Sequence, residues 1–197
     1  MRINVKKSTC IRIGNRFNVN TCSVQLEANA LTWATEIKYL GLYIMAGCAF
    51  RCNTHCAKVK YFRSLNCILA KVGTTTAVNV TLSLIATNCN PILLYGFEAT
   101  RLIKSQLNSL NYPFNSGFMK LFNTFDPKII IQTQFYSGYL PFAYLLDARI
   151  LKFYSDLSVC DHQSPASILY LWFGDNEWNE TAIKYNITKE NNPNTVC

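Results

Sequence analysis

Cys48, Cys52, His55 and Cys56 put four potential zinc ligands within nine residues, and thiolate and imidazole are the donor types of a tetrahedral site. Their spacing points elsewhere. Zinc fingers pair two short ligand turns across a loop of about a dozen residues. Three cysteines four apart instead line one face at the start of a helix, an ordinary setting for packed thiols. Asp175 and Glu177, the one close acidic pair, follow Phe173-Gly174 and read as a solvated turn without a third carboxylate. Asp161-His162 has no Gly-x-Ser-x-Gly nucleophile motif beside it, and no Gly-rich phosphate loop occurs. No metal site or cofactor is expected. What remains is cationic: Lys58, Lys60, Arg63 and Lys71, with Tyr61 and Phe62 among them.

Those cations need an element to carry them. After Asn53-Thr54, residues Ala57, Tyr61, Phe62, Leu65, Ile68, Leu69 and Val72 fall three or four apart as far as Gly73. This predicts a helix with an apolar stripe, flanked by Lys58 and Lys71, and a basic outer face. A second helix is predicted over 78–87, and Pro91 opens a third through Phe97. Pro113 interrupts 104–124, so two helices are expected there; Pro141 starts another that runs through Asp147 to Leu157.

Before residue 50 the texture is different. Cys10-Ile11-Arg12-Ile13 alternates and stops at Gly14, Val24-Gln25-Leu26 and Leu31-Thr32-Trp33 suit the arms of a hairpin, and 38–44 is a run of strand formers. The expectation is an α+β fold: a short antiparallel β region over 1–50, a helical bundle over 51–160, and a helical or partly disordered tail over 161–197.

Half the residues are apolar and 15% are charged, which suits a globular chain and excludes an intrinsically disordered one. Uninterrupted apolar runs fall short of the ~20 residues of a membrane span, and the polar start lacks a signal pattern. An intracellular protein, in nucleus or cytoplasm, is expected, with no membrane partner. Nine cysteines, odd in number and irregular in spacing, then read as reduced thiols. Charge is unevenly placed. Residues 1–100 hold eleven Lys or Arg against three acidic residues, whereas 101–197 hold eight of each. A surface facing a polyanion leaves this footprint, although a solvated basic face has the same count.

Three stretches carry more specific information. The first is Ile3-Asn4-Val5-Lys6-Lys7-Ser8 with Cys10-Ile11-Arg12-Ile13-Gly14. The second is Trp33 followed by Glu36-Ile37-Lys38-Tyr39-Leu40-Gly41-Leu42-Tyr43-Ile44. The third is Pro91-Ile92-Leu93-Leu94-Tyr95-Gly96-Phe97-Glu98 with Phe118-Met119-Lys120-Leu121-Phe122. In this order they resemble the reverse transcriptases of non-LTR, LINE-like retrotransposons, over about residues 1–157. The first is similar to palm motif D, the second to the motif E primer-grip hairpin, and the third to the helical thumb.

The resemblance implies a polymerase part without its metal site. In the family, nucleotide addition uses two magnesium ions held by an adjacent Asp pair and one further Asp. This sequence contains no Asp-Asp and no Asp-x-Asp, and its first acidic residue is Glu27, past motif D. A truncated RNA-directed DNA polymerase fragment, inactive alone, is therefore expected, with the fingers and metal hairpin preceding Met1. Magnesium belongs to the intact family; none is expected here.

By the same resemblance Lys7, or its neighbour Lys6, would stand near the triphosphate as general acid for the departing pyrophosphate. Without a metal site that task lapses. Tyr39, Leu40 and Gly41 would form the primer grip, glycine permitting close backbone approach. Lys58, Lys60, Arg63 and Lys71 would contact phosphates of an RNA–DNA or DNA duplex. Two alternatives stand beside this reading. One is a trans-acting part of a split polymerase, completed by a separately encoded missing segment. The other is a structural or adaptor protein without nucleic-acid contact. A palm cut at motif D leaves strands short of their sheet, so marginal stability and aggregation are expected.

Overall fold

The apolar stripe that begins at Ala57 winds into α1, His55–Val72, and turns Tyr61 and Leu65 fully inward, one helical turn apart. The Asn53 side chain accepts the His55 backbone N–H at 2.8 Å. Gly73, at φ +64, ends the helix, its N–H returning to the Leu69 carbonyl at 3.3 Å. The computed structural model describes residues 4, 8–19, 22–26, 29–73, 76–158 and 175–187.

Around α1 pack α2 (Val78–Asn88) and α3 (Asn90–Leu94, with Pro91 in its first turn), and a 3-10 turn, Phe97–Ala99, follows. Then come α4 (Lys104–Phe122), α5 (Pro127–Tyr136), α6 (Phe142–Ser158) and α7 (Asp175–Lys184). Asp126 caps α5 by accepting the Lys128 N–H at 2.9 Å. Tyr61, Leu93, Phe97, Leu110, Phe114 and Phe142 are almost wholly removed from solvent in one continuous core. Each such side chain contributes about 1.5–3 kcal/mol by burial.

The expected pair of helices over 104–124 is one helix. Pro113 sits inside α4, and the missing N–H and ring clash of an interior proline cost ~3 kcal/mol. Its ring is fully buried beside Leu110 and Phe114, and that packing offsets the cost. The Ser116 hydroxyl also donates to the Pro113 carbonyl at 2.6 Å.

Mixed helix and strand is as expected at the coarse level, but the β region is not wholly antiparallel. β1 (Thr9–Cys10) and β4 (Thr32–Trp33) pair in parallel, and Ile13 makes a further parallel bridge to Gly47. The connection from β1 to β4 is long enough for a parallel crossover. Within it lies the antiparallel pair β2 (Gln25–Leu26) and β3 (Asn29–Ala30), so the predicted hairpin closes on itself and its second arm begins earlier. The run 38–44 is likewise not a single strand. It divides into β5 (Glu36–Tyr39) and β6 (Leu42–Met45), joined by a two-residue turn. β7 (Arg51–Cys52) completes a three-stranded antiparallel sheet. Leu42, Ile44 and Cys52 seat that sheet on the helical core, and Gln106 of α4 donates to the Cys52 carbonyl at 3.1 Å.

The stretch Val78–Ala99 is 22 residues long and apolar enough to cross a membrane by length and composition, contrary to the expectation from uninterrupted runs. Scattered Asn, Thr and Ser residues break those runs without removing the mean apolarity. Here the chain bends at Cys89 and again at Gly96, and Leu82, Ile85, Leu93 and Phe97 enter the core. α7 packs on α6, where Asp147 accepts from both Lys184 Nζ and Tyr185 Oη at 2.6 Å. α5 buries Ile130 and Gln134 but leaves Ile131, Phe135 and Tyr136 largely exposed.

Candidate nucleic-acid interface

The turn between β5 and β6 is built from Leu40 at φ +45 and Gly41 at φ +88. Two successive positive φ values make the two-residue hairpin connection whose twist matches the strands. Glycine adopts this conformation freely, whereas leucine in it is strained by roughly 1 kcal/mol. Nor does burial explain the leucine, because Leu40 is 72% exposed and neighbouring Tyr39 61%.

The turn is nevertheless fixed from outside. Tyr95 Oη donates to the Leu40 carbonyl at 3.0 Å, and a Cβ on Gly41 would lie 3.5 Å from the Tyr95 ring. Next to it Gly96, at φ +75, lies under Leu42, and a Cβ there would stand 2.4 Å from Leu42 Cδ1. Gly41, Lys60 and Tyr95 border one hollow of about 350 Å³ between the hairpin, α1 and α3.

The predicted cations of α1 divide into two groups. At about 100° per residue, Lys60, Arg63 and Lys71 fall within an arc of roughly 80°, nearly opposite Tyr61 and Leu65. All three are exposed. Lys58 lies on the other side, is partly buried, and donates from Nζ to Ser109 Oγ of α4 at 2.7 Å. It fastens two helices together and does not join the basic face, contrary to its placement beside Lys71 on the flank. Lys6 and Lys7 lie outside the described residues, as do Asp161 and His162.

Sequence reasoning passed over three features. Tyr95 lay within the leucine-tyrosine-glycine stretch without a role of its own. Lys38 holds its ammonium 5.9 Å from the Tyr43 ring centre, where a cation at i and an aromatic across the turn were a readable signal. Arg12 stacks 4.5 Å over the Trp33 ring while its guanidinium donates to the Arg16 and Val19 carbonyls.

The cysteine cluster is dispersed. Cys48 is exposed in a bend, Cys52 is buried at the end of β7, and only Cys56 belongs to α1, so the three do not line one helical face. Burial pushes the Cys52 thiol up, away from the thiolate that metals require. Asp175 and Glu177 stand in the first turn of α7, not in a loop. Among the described residues no three His, Cys, Asp or Glu side chains gather as a metal site.

No protein-family model, curated protein or solved structure matches this chain.

Proposed function

We propose that this chain is the carboxy-terminal portion, palm end plus thumb, of a non-LTR retrotransposon reverse transcriptase, and that it binds nucleic-acid duplexes without polymerising. The Leu40 position carries the reading. A leucine held at positive φ and 72% exposed serves neither turn formation nor the core, so contact with something outside the chain is what it is suited to. In the resembled family this is the primer grip, and Tyr39, Leu40 and Gly41 are its counterparts here. Further support is that two of the three resembling stretches, around Leu40 and around Tyr95, meet directly. Lys60, Arg63 and Lys71 supply an exposed basic face for phosphates, giving affinity that ignores sequence and falls with salt. Such a partner would be met in the nucleus or cytoplasm.

The test is fluorescence anisotropy with a labelled RNA–DNA duplex across roughly 50–200 mM salt, beside a primer-extension assay with magnesium. Expected are salt-sensitive binding and no extension. Binding that is absent or indifferent to salt would favour a structural or adaptor role. Extension by the pure chain would refute the absence of a metal site.

A further inference from the structure

We propose that the hollow at the base of the 36–45 hairpin holds one unpaired base of a single-stranded nucleic acid. The inference rests on the proposed reading of the chain as a nucleic-acid binder and carries it from paired to unpaired strands. The hollow measures about 320 Å³, at the small end of the range of ligand sites, which suits a single flat ring system. Two of the residues that line it are aromatic, Trp33 of β4 and Phe17. Trp33 stays 43% exposed although β4 is paired with β1, so its indole offers stacking surface that the fold does not cover.

The indole is also held in place. Arg12 lies 4.5 Å over the ring, and its guanidinium is itself fixed by donating to the Arg16 and Val19 carbonyls. A ring backed by an anchored cation is a stiff platform, and bases stack on such platforms whatever their identity. Asn18 and Thr35 also line the hollow and bring hydrogen-bonding groups for the edge of a base. Charge favours a phosphate-linked ring over a neutral one. Residues 1–26 hold five Lys or Arg and no acidic residue, and Arg16, beside Phe17 in the chain, is exposed. None of the described residues that line the hollow is acidic, and Glu36, next to Thr35, accepts from the Asn53 side chain at 2.7 Å. A base within a duplex has both faces covered by its neighbours, so only an unpaired one can enter. The hollow is separate from the hairpin tip: Thr35, which accepts the Ala46 N–H at 2.8 Å, stands five residues before Leu40, roughly 16 Å along a strand.

The full chain is titrated by fluorescence anisotropy with a labelled single-stranded oligothymidylate, an abasic strand of the same length and charge, and a blunt RNA–DNA duplex. The oligothymidylate is expected to bind at least about fivefold more tightly than the abasic strand. By NMR it is expected to shift the Trp33 indole N–H signal, assigned by its loss in Trp33→Phe. Trp33→Leu is expected to abolish the advantage of thymine over the abasic strand and to leave blunt-duplex binding unchanged. The two strands are compared on the unaltered chain as well, so a Trp33→Leu chain that fails to fold leaves the test intact. Equal binding of the two strands, an unmoved Trp33 signal, or a thymine preference kept by folded Trp33→Leu would each overturn the proposal. Thymine preference in a chain that ignores blunt duplex would support it and refute the duplex reading; duplex binding without thymine preference would do the reverse.

Discussion

Tyr95 Oη and the Leu40 carbonyl, 55 positions apart in sequence, are joined at 3.0 Å, and this one contact ties the hairpin tip to the helical half. Tyr95→Phe keeps the ring against Gly41 and removes only the donor. A loss of about 0.5–1 kcal/mol in urea unfolding is expected. Hydrogen exchange at Leu40 and Gly41 should quicken while α4 amides keep their protection. Unchanged exchange at the tip would show that the hydrogen bond does not hold it.

Leu40 separates stability from binding. Leu40→Asn puts a residue that tolerates positive φ in the turn, and Asn-Gly is the preferred pair there. Stability should rise by roughly 0.5–1 kcal/mol, since an exposed side chain gives up little packing. Duplex affinity measured by anisotropy should fall. A variant that gains stability and binds as before would remove the main support for the primer-grip role.

Gly96 is under two constraints, conformation and space. Gly96→Ala should destabilise by more than the ~1 kcal/mol of a left-handed alanine, because its Cβ meets Leu42. Combining it with Leu42→Ala, which itself removes apolar packing, should give a favourable coupling in a double-mutant cycle. Strict additivity would mean that the close approach is absent in solution.

Replacing Lys60, Arg63 and Lys71 together by Gln should weaken duplex binding and lower the salt slope by ~2–3, at about 0.9 for each phosphate no longer neutralised. Lys58→Gln should act otherwise. It loosens the tie to Ser109 and lowers the melting temperature with little change in slope. Four equivalent effects on binding would contradict the division of α1 into a basic face and a packed lysine.

Alkaline unfolding has a defined origin. Tyr61 is buried, and burial, followed by the repulsion of Cys89, pushes its phenol far above the ordinary value of about 10. The folded state holds that proton more firmly than the unfolded state does. Its contribution is therefore whole below about pH 10 and is lost as pH climbs from there toward the folded pKa. Cys89, also raised by burial, acts in the same direction from about pH 9. Denaturant titrations should show stability declining above pH 9–10, with a shallower decline in Tyr61→Phe.

Local chemistry made much of this fold legible, and distance hid the rest. α1 could be read end to end because its period and its closing glycine are both local signals. The run of strand formers over 38–44 hid the turn at 40–41 behind a leucine that no turn rule favours, and only the resemblance to a primer-grip hairpin pointed to it. Pro113 signalled a break that only its burial against distant residues cancels. The different roles of Lys58 and Lys60 were within reach, because two residues turn a helix by about 200°. The partnership of Tyr95 with Leu40 was not, since no local pattern announces a hydrogen bond made by tertiary packing.

The parallel register of Thr9–Cys10 with Thr32–Trp33 dictates an order of events. Antiparallel neighbours such as β5 and β6 are joined by a tight turn and can zip within microseconds. The parallel ladder must wait until the long connection has been gathered in, paying its closure entropy before any ladder bond forms. Refolding should therefore proceed from the helices and the 36–45 hairpin outward, leaving the first strand to dock last.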